Sequence, residues 1–319
     1  MTTERKNTGF AIALAWPQTF CKEPGSWYDP LTRWMGISRN NYYKAGHAAV
    51  VLVDTEQERC HYFDFGRYHA PLKYGRVRSE ATDHDLKINT IPEISGDGKS
   101  ILNFHEILEE LQHNPACHGE GILKASYCPI NFDSAIKKAM QMQVDSPIPY
   151  GPFIRGGSNC SRFVNTIILA GTPAMKYRLK LKYLLPSTPT PLNNVSSLSR
   201  RTIVPVLRKT IPFTPVRPLT RSELISTLPA PARHPSIPEN AQWLSGEGAG
   251  SWFAFESEKE VLKVTRFAPD GTLECSGFYK GSVRKLPEVG DSFIVDYPSN
   301  CMELNLKYSQ GQLIFRRIS

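Results

Sequence analysis

No apolar run in this 319-residue chain approaches the ~20 residues that a bilayer-spanning helix needs. The seven cysteines (21, 60, 117, 128, 160, 275, 301) contain no CxxC pair. An odd, scattered set argues against a disulfide framework or a zinc site and fits a reducing compartment. No signal peptide is expected either, since the apolar stretch Phe10 to Trp16 is too short and ends without a small-residue cleavage site. These absences lead to the expectation of a cytoplasmic protein with no metal and no cofactor.

Acidic residues are scarce in one place. Between Lys176 and Arg233 stand eleven Lys and Arg against the single acid Glu223, a local net of +10 in a chain whose formal charge is +8. The remainder is therefore close to neutral, and no nucleic-acid partner is expected. Nine of the 25 prolines fall in the same stretch, which has few aromatics. A basic, proline-rich segment of this kind reads as an extended connector rather than a nucleic-acid platform. It could also supply a membrane-facing patch. The chain thus divides into residues 1–185, a connector at 186–239, and residues 240–319.

The two flanking regions differ in period. In the first, Phe10 to Ala15, His47 to Asp54, Arg59 to Gly66 and Gly121 to Cys128 read as strands. Asn103 opens a helix with Glu106 in the capping-box position. Asn131 caps another helix whose inner face is Phe132, Ala135, Ile136, Ala139 and Met140. The stretch Arg76 to Asp85 reads as a charged, solvated loop. After the connector, six short segments alternate with period two between turn signals: Ser251–Glu256, Val261–Ala268, Thr272–Tyr279, Phe293–Tyr297, Met302–Tyr308 and Leu313–Ile318. The expected fold is α+β: an antiparallel sheet packed by helices, followed by a small all-β barrel or sandwich.

Chemistry concentrates in Gly156-Gly157-Ser158-Asn159-Cys160-Ser161-Arg162-Phe163-Val164-Asn165. Cys160, Phe163, Val164, Ile167 and Ile168 have the spacing of one buried helix face, Ser158 or Asn159 can cap it, and Gly171 can end it. Cys160 then sits in the first turn. Unpaired N–H groups and the positive end of the helix dipole favour a thiolate there and can hold a developing oxyanion. The plainer alternative is a buried structural cysteine. A cysteine nucleophile needs an imidazole, oriented by a third group. His47 opens the apolar strand Gly46-His47-Ala48-Ala49-Val50-Val51-Leu52-Val53, an unusual place for a polar ring unless that strand end faces a site.

The His47 strand, followed far downstream by the Asn159-Cys160 box, resembles the circularly permuted branch of the papain-like fold. That branch includes the lecithin:retinol acyltransferase group and bacterial relatives of cell-wall peptide amidases. The longer context, with Tyr62-Phe63-Asp64-Phe65-Gly66-Arg67-Tyr68, is similar to Bacteroidetes proteins that couple such a region to a small β domain. The resemblance implies a third polar residue on the strand beside His47, either Asp64 or His61. If Glu56 and Gln57 centre the hairpin, Ala49 faces Asp64, which then shares the face of His47, while His61 points to the opposite side. Asp64 is preferred, and a turn-capping or solvated aspartate is its alternative.

Ser158 and Asn159 are candidates for shaping the oxyanion site, although a cap is the simplest role for Asn159. Tyr150, Gly157, Trp27 and Tyr43 are candidates for the groove. The resulting expectation is a cysteine hydrolase acting on an amide of a peptide or cell-wall-like substrate through a covalent thioester. Two alternatives remain: a lipid or amide acyltransferase of the same fold, and a non-catalytic binding module. The oligomeric state is not legible.

Overall fold

The run Ala48 to Val53 has no polar residue to turn toward water, so a strand built from it must be covered on both faces. The computed structural model describes residues 7–319 apart from 24, 26–28, 35, 37, 152, 187–188, 206–212, 259, 282–292 and 310, and it has that arrangement. Trp27, expected in the groove, lies outside the described residues. In chain order the first strands are β1 (Gly9–Trp16), β2 (Cys21–Lys22), β3 (Ser38–Arg39), β4 (Tyr42–Tyr43), β5 (His47–Asp54), β6 (Arg59–Gly66), β7 (Tyr74–Arg78), β8 (Leu123–Ile130), β9 (Ile148–Pro149) and β10 (Ser199–Val204). A seven-stranded sheet runs β10-β8-β1-β5-β6-β7-β9, with every pairing antiparallel. Strands β2, β4 and β3 form a separate small ribbon.

The helices are α1 (Asp29–Trp34), α2 (Phe104–His113), α3 (Phe132–Val144), α4 (Cys160–Ala170), α5 (Met175–Tyr183), α6 (Pro191–Ser197) and α7 (Arg221–Leu224). They cover the sheet from both sides. Ala48, Val50, Leu52, Phe63 and Phe65 pack against residues of α3, α4, α5 and α6. Ala49, Val51, Val53 and Tyr62 pack against Phe104, Ile107, Leu108 and Leu111 of α2. Each fully buried Val, Leu, Ile or Phe contributes about 1.5–3 kcal/mol, so this double-sided core anchors β5 firmly. In α4 the expected inner face is buried in full, Asn159 caps it by accepting from the Arg162 N–H at 2.8 Å, and Gly171 closes it.

The remaining strands are β11 (Gln242–Ser245), β12 (Gly250–Glu258), β13 (Val261–Phe267), β14 (Leu273–Gly281), β15 (Ile294–Asp296), β16 (Glu303–Tyr308) and β17 (Gly311–Arg317). They form a second antiparallel sheet, ordered β11-β12-β13-β14-β17-β16-β15. Its two edges meet through the Gln242 side chain, which donates to the Phe293 carbonyl at 2.9 Å and accepts from the Val295 N–H at 2.8 Å. The result is a nearly closed barrel. The class is therefore α+β with an all-β end, as the alternation of periods implies.

Several expectations need correction. The segment expected to begin as a connector at residue 186 instead supplies α6 and β10 to the first region. Thr190 and Asn193 form a capping box with Pro191 at the first helical position, Val195 and Leu198 are buried, and β10 pairs with β8. Met140 is 55% exposed rather than on the inner face of its helix. Asn103 opens α2 as expected but makes no side-chain cap, because its side chain is spent on the Glu93 N–H and the Ile91 carbonyl. The largest difference is Arg76 to Asp85: Arg76, Arg78 and Asp83 are buried, because each charge finds an opposite partner inside the protein.

Candidate active site

His47 enters β5 directly after Gly46, whose φ of 76° falls in the left-handed region. A Cβ on Gly46 would come within 2.9 Å of the Trp16 carbonyl oxygen, so only glycine fits this close approach. The register then places His47 opposite Trp16 at the end of β1, and the two rings stack at 5.8 Å. On the next strand Ala49 pairs with Asp64, the register the hairpin count gives. Asp64 accordingly shares the face of His47, and its Oδ2 lies 3.3 Å from His47 Nε2.

The same imidazole acts on the sulfur of Cys160. His47 and the Cys160 thiol stabilise each other's charged forms, and the Ala48 N–H acts on the sulfur in the same sense. Helix α4 and strand β5 thus bring together two residues 113 positions apart. Cys160 is 7% exposed, His47 3% and Asp64 0%.

The electrostatics follow from this geometry. Burial alone would depress the His47 pKa, but hydrogen bonds to Asp64 and Cys160 outweigh it and lift the group to about 9. Burial would raise the Cys160 thiol; the hydrogen bond and charge of His47 outweigh it and hold the thiol below its ordinary value. Asp64 is likewise pushed up by burial but pulled further down by Arg78 and His47. At neutral pH the arrangement favours a thiolate–imidazolium pair beside a fixed carboxylate. By contrast burial drives Cys60, Cys117 and Cys128 up to about 12, as it does Cys21.

Arg78 is the member that sequence reasoning missed. It stands directly opposite Asp64 in the β6–β7 register, donates from Nε to Oδ1 at 2.9 Å and from Nη2 to Oδ2, and lies 4.1 Å from the Tyr68 ring centroid. The Tyr62 hydroxyl adds a third donor to Asp64 at 3.1 Å. The alternation in Tyr74-Gly75-Arg76-Val77-Arg78 is the signal that could have revealed a strand with both arginines on one face. Trp16, Tyr68 and Ser161 were also missed; the Ser161 hydroxyl lies 3.9 Å from the Cys160 sulfur.

Other candidates land elsewhere. His61 faces the opposite side of β6, against Phe132 and Glu80, so it is not a third member of this cluster. Asn159 is spent as the cap of α4, and the Ser158 hydroxyl donates to the Asn159 carbonyl. Tyr43 bonds Asp29 through its hydroxyl, and Gly157 packs against Ile154 and the Pro149 carbonyl. Tyr150 does line the cleft that opens over His47, as does Tyr42, the neighbour of Tyr43. This cleft holds about 750 Å³ and is walled by Lys22, Arg67, Tyr68, His118, Glu120 and Glu247, among others. Among the described residues no group of His, Cys, Asp and Glu is arranged to hold a metal.

Comparison with known proteins covers both regions. No curated protein matches the chain at a significant level. The crystal structure of the type VI secretion system effector TseH is similar over 60% of this chain and 88% of that one, with 19% identity and a TM-score of 0.39. Residues 241–318 match the DUF6695 C-terminal domain family. Residues 11–177, more than half of the chain, match the type VI secretion system effector TseH-like family, and the chain belongs to that family.

Proposed function

We propose that the protein is a cysteine hydrolase that cleaves an amide bond of a peptide-like substrate. The observation that carries this is the position of His47, held at Nε2 by Asp64 and acting on the Cys160 sulfur, whose thiol it holds below its ordinary value. The order of the parts, histidine strand first and nucleophile helix later, agrees with a permuted papain-like arrangement.

In the reaction, the Cys160 thiolate attacks the carbonyl carbon and the carbonyl oxygen becomes an oxyanion. The Cys160 N–H, at the first position of α4, is one of the donors a helix leaves without an internal partner and can receive that oxygen. Collapse of the tetrahedral species breaks the C–N bond, and the His47 imidazolium gives its proton to the departing amine. Water then attacks the thioester while His47 takes its proton, releasing the acid and restoring the thiolate. Asp64 keeps the ring oriented throughout, and Arg78 keeps Asp64 ionised.

The charged lining of the cleft, with Lys22, Arg67, Glu120 and Glu247, favours a polar chain over a lipid acyl chain. The family description brings delivery by a type VI secretion system into the same proposal. The test is hydrolysis of peptide and cell-wall peptide substrates by the purified chain. Turnover abolished by iodoacetamide and by Cys160→Ala, with a nearly unchanged Tm, is expected. Turnover that survives Cys160→Ala would overturn the reading.

A further inference from the structure

The loop between β11 and β12 reaches into the first region at one buried carboxylate. Glu247 is 5% exposed. Its Oε2 accepts from Arg67 Nη1 at 2.7 Å and its Oε1 from the Lys73 N–H at 2.9 Å, while Lys22 Nζ lies 3.7 Å away. One side chain of the barrel thereby ties three separate points of the first region: the end of β2, the exit of β6 and the entry to β7. The next residues continue the contact. Gly248 N–H donates to the Arg67 carbonyl at 2.9 Å, and Ala249 bridges Tyr68 in parallel. A Cβ on Gly246 would lie 2.2 Å from the Arg67 carbonyl oxygen, so the loop sits as close as backbone allows.

What these ties hold is the catalytic surround. The Arg67 guanidinium sits 5.0 Å from the Tyr150 ring centroid, and Tyr150 stacks on Phe65 at 5.5 Å. The Tyr150 N–H donates to the carbonyl of Lys73, whose own N–H is on Glu247. Tyr68 presents its ring edge to His47 at 6.2 Å. Glu247, Gly248, Leu228 and Pro229 line the same cleft as His47 and Tyr150, and the Leu228 N–H is fixed to the Gly246 carbonyl at 2.9 Å.

We propose that the C-terminal barrel is a working part of the active site: the 246–248 loop and Leu228 form one wall of the substrate cleft, and Glu247 is the positioning residue that sets Tyr68 and Tyr150 against it. Substrate is then selected jointly by the two regions, and the first region alone lacks one side of its cleft. This rests on the Cys160 hydrolase reading.

The experiment compares two electrophiles on the full chain: iodoacetamide, which reaches the sulfur without filling the cleft, and a peptidyl chloromethyl ketone, which must lie along it. Two variants are used, Glu247→Gln and Leu228→Trp; Leu228 is 40% exposed, so a larger ring there is accommodated at the surface. Both are expected to slow the peptidyl probe roughly 10- to 100-fold, the range by which remote misplacement degrades a positioned reaction. Iodoacetamide should change less than about twofold. If neither variant alters the peptidyl rate, or if Leu228→Trp slows both probes equally, the barrel is only a neighbour and the inference falls. Failure of the hydrolase reading is distinguishable, because wild-type Cys160 would then show no selective reaction with iodoacetamide.

Discussion

The two seven-stranded sheets differ most in what their buried charges face. In the first, Asp64 and Arg78 pair across adjoining strands and Asp64 meets His47, which lines the cleft. In the barrel, Arg266, Glu247 and Ser251 are also buried, but they point across to the first region. Arg266 pairs with Asp83 at 3.0 Å, Glu247 with Arg67, and Ser251 with His69 at 2.7 Å. The same architecture therefore buries charge for two purposes. At the first sheet's end a network polarises a sulfur; at the barrel's side a network fixes one region to the other. Each region also holds a thiol below its ordinary value. Cys160 owes this to His47 after burial is overcome, and Cys301 to Cys275; Cys301 has no exposed surface.

The largest effect should separate those two thiols. Cys160→Ala is expected to lower turnover by at least about 10³-fold, as loss of a nucleophile does, whereas Cys301→Ala should leave kcat unchanged. Comparable losses in both would erase the distinction. Next comes Asp64. Asp64→Asn should lower kcat by about 10²–10⁴ through loss of ring orientation. Asp64→Ala should in addition cost about 3–5 kcal/mol of stability in urea unfolding, since Arg78 would be left buried without its carboxylate.

The pH profile sharpens the contrast. Turnover should fall on the alkaline side near pH 9, where His47 loses the proton it must donate. Stability has a matching window. A histidine raised from about 6.5 to about 9 stabilises the fold fully below about pH 6.5 and loses that contribution as pH rises through about 9. Asp64, depressed by Arg78 after burial is overcome, acts in the opposite sense: its contribution is present above about pH 4 and is lost as pH falls toward its folded value. Tm should therefore decline at both extremes, and Asp64→Asn should flatten both limbs. The smallest effect belongs to the docking side. Arg266→Met leaves Asp83 still held by both arms of Arg76, so a loss of only about 1–3 kcal/mol is expected, with the Cys160 alkylation rate unchanged.

Legibility in the sequence followed the same division. Periodicity made β5, β6, α4 and most barrel strands plain, because a continuous apolar run, a 3.6 repeat and an alternation each demand a particular cover. The cysteine could be found because it opens such a face directly after a cap, the histidine because it begins an apolar strand, and the aspartate from the register of the hairpin that joins its strand to the histidine's. Arg76, Arg78 and Asp83 could not, since the sequence shows charges but not the partners that let them be buried. Strand β10 was hidden for a similar reason: Ser199 to Val204 is polar enough to pass for connector, and only its place at the sheet edge beside β8 gives it structure. The contribution of Glu247 depends on how two regions meet, which no local pattern records.

The central claim is that His47 makes a thiolate of Cys160, and mass-spectrometric mapping of iodoacetamide labelling at neutral pH tests it most directly. Cys21 lines the cleft and is more exposed than Cys160, yet burial pushes its thiol up to about 12. Cys160 should be labelled first in the wild type and should fall back to the level of Cys21 in His47→Ala. Labelling of Cys21 ahead of Cys160, or a Cys160 rate unchanged by loss of the imidazole, would contradict the account.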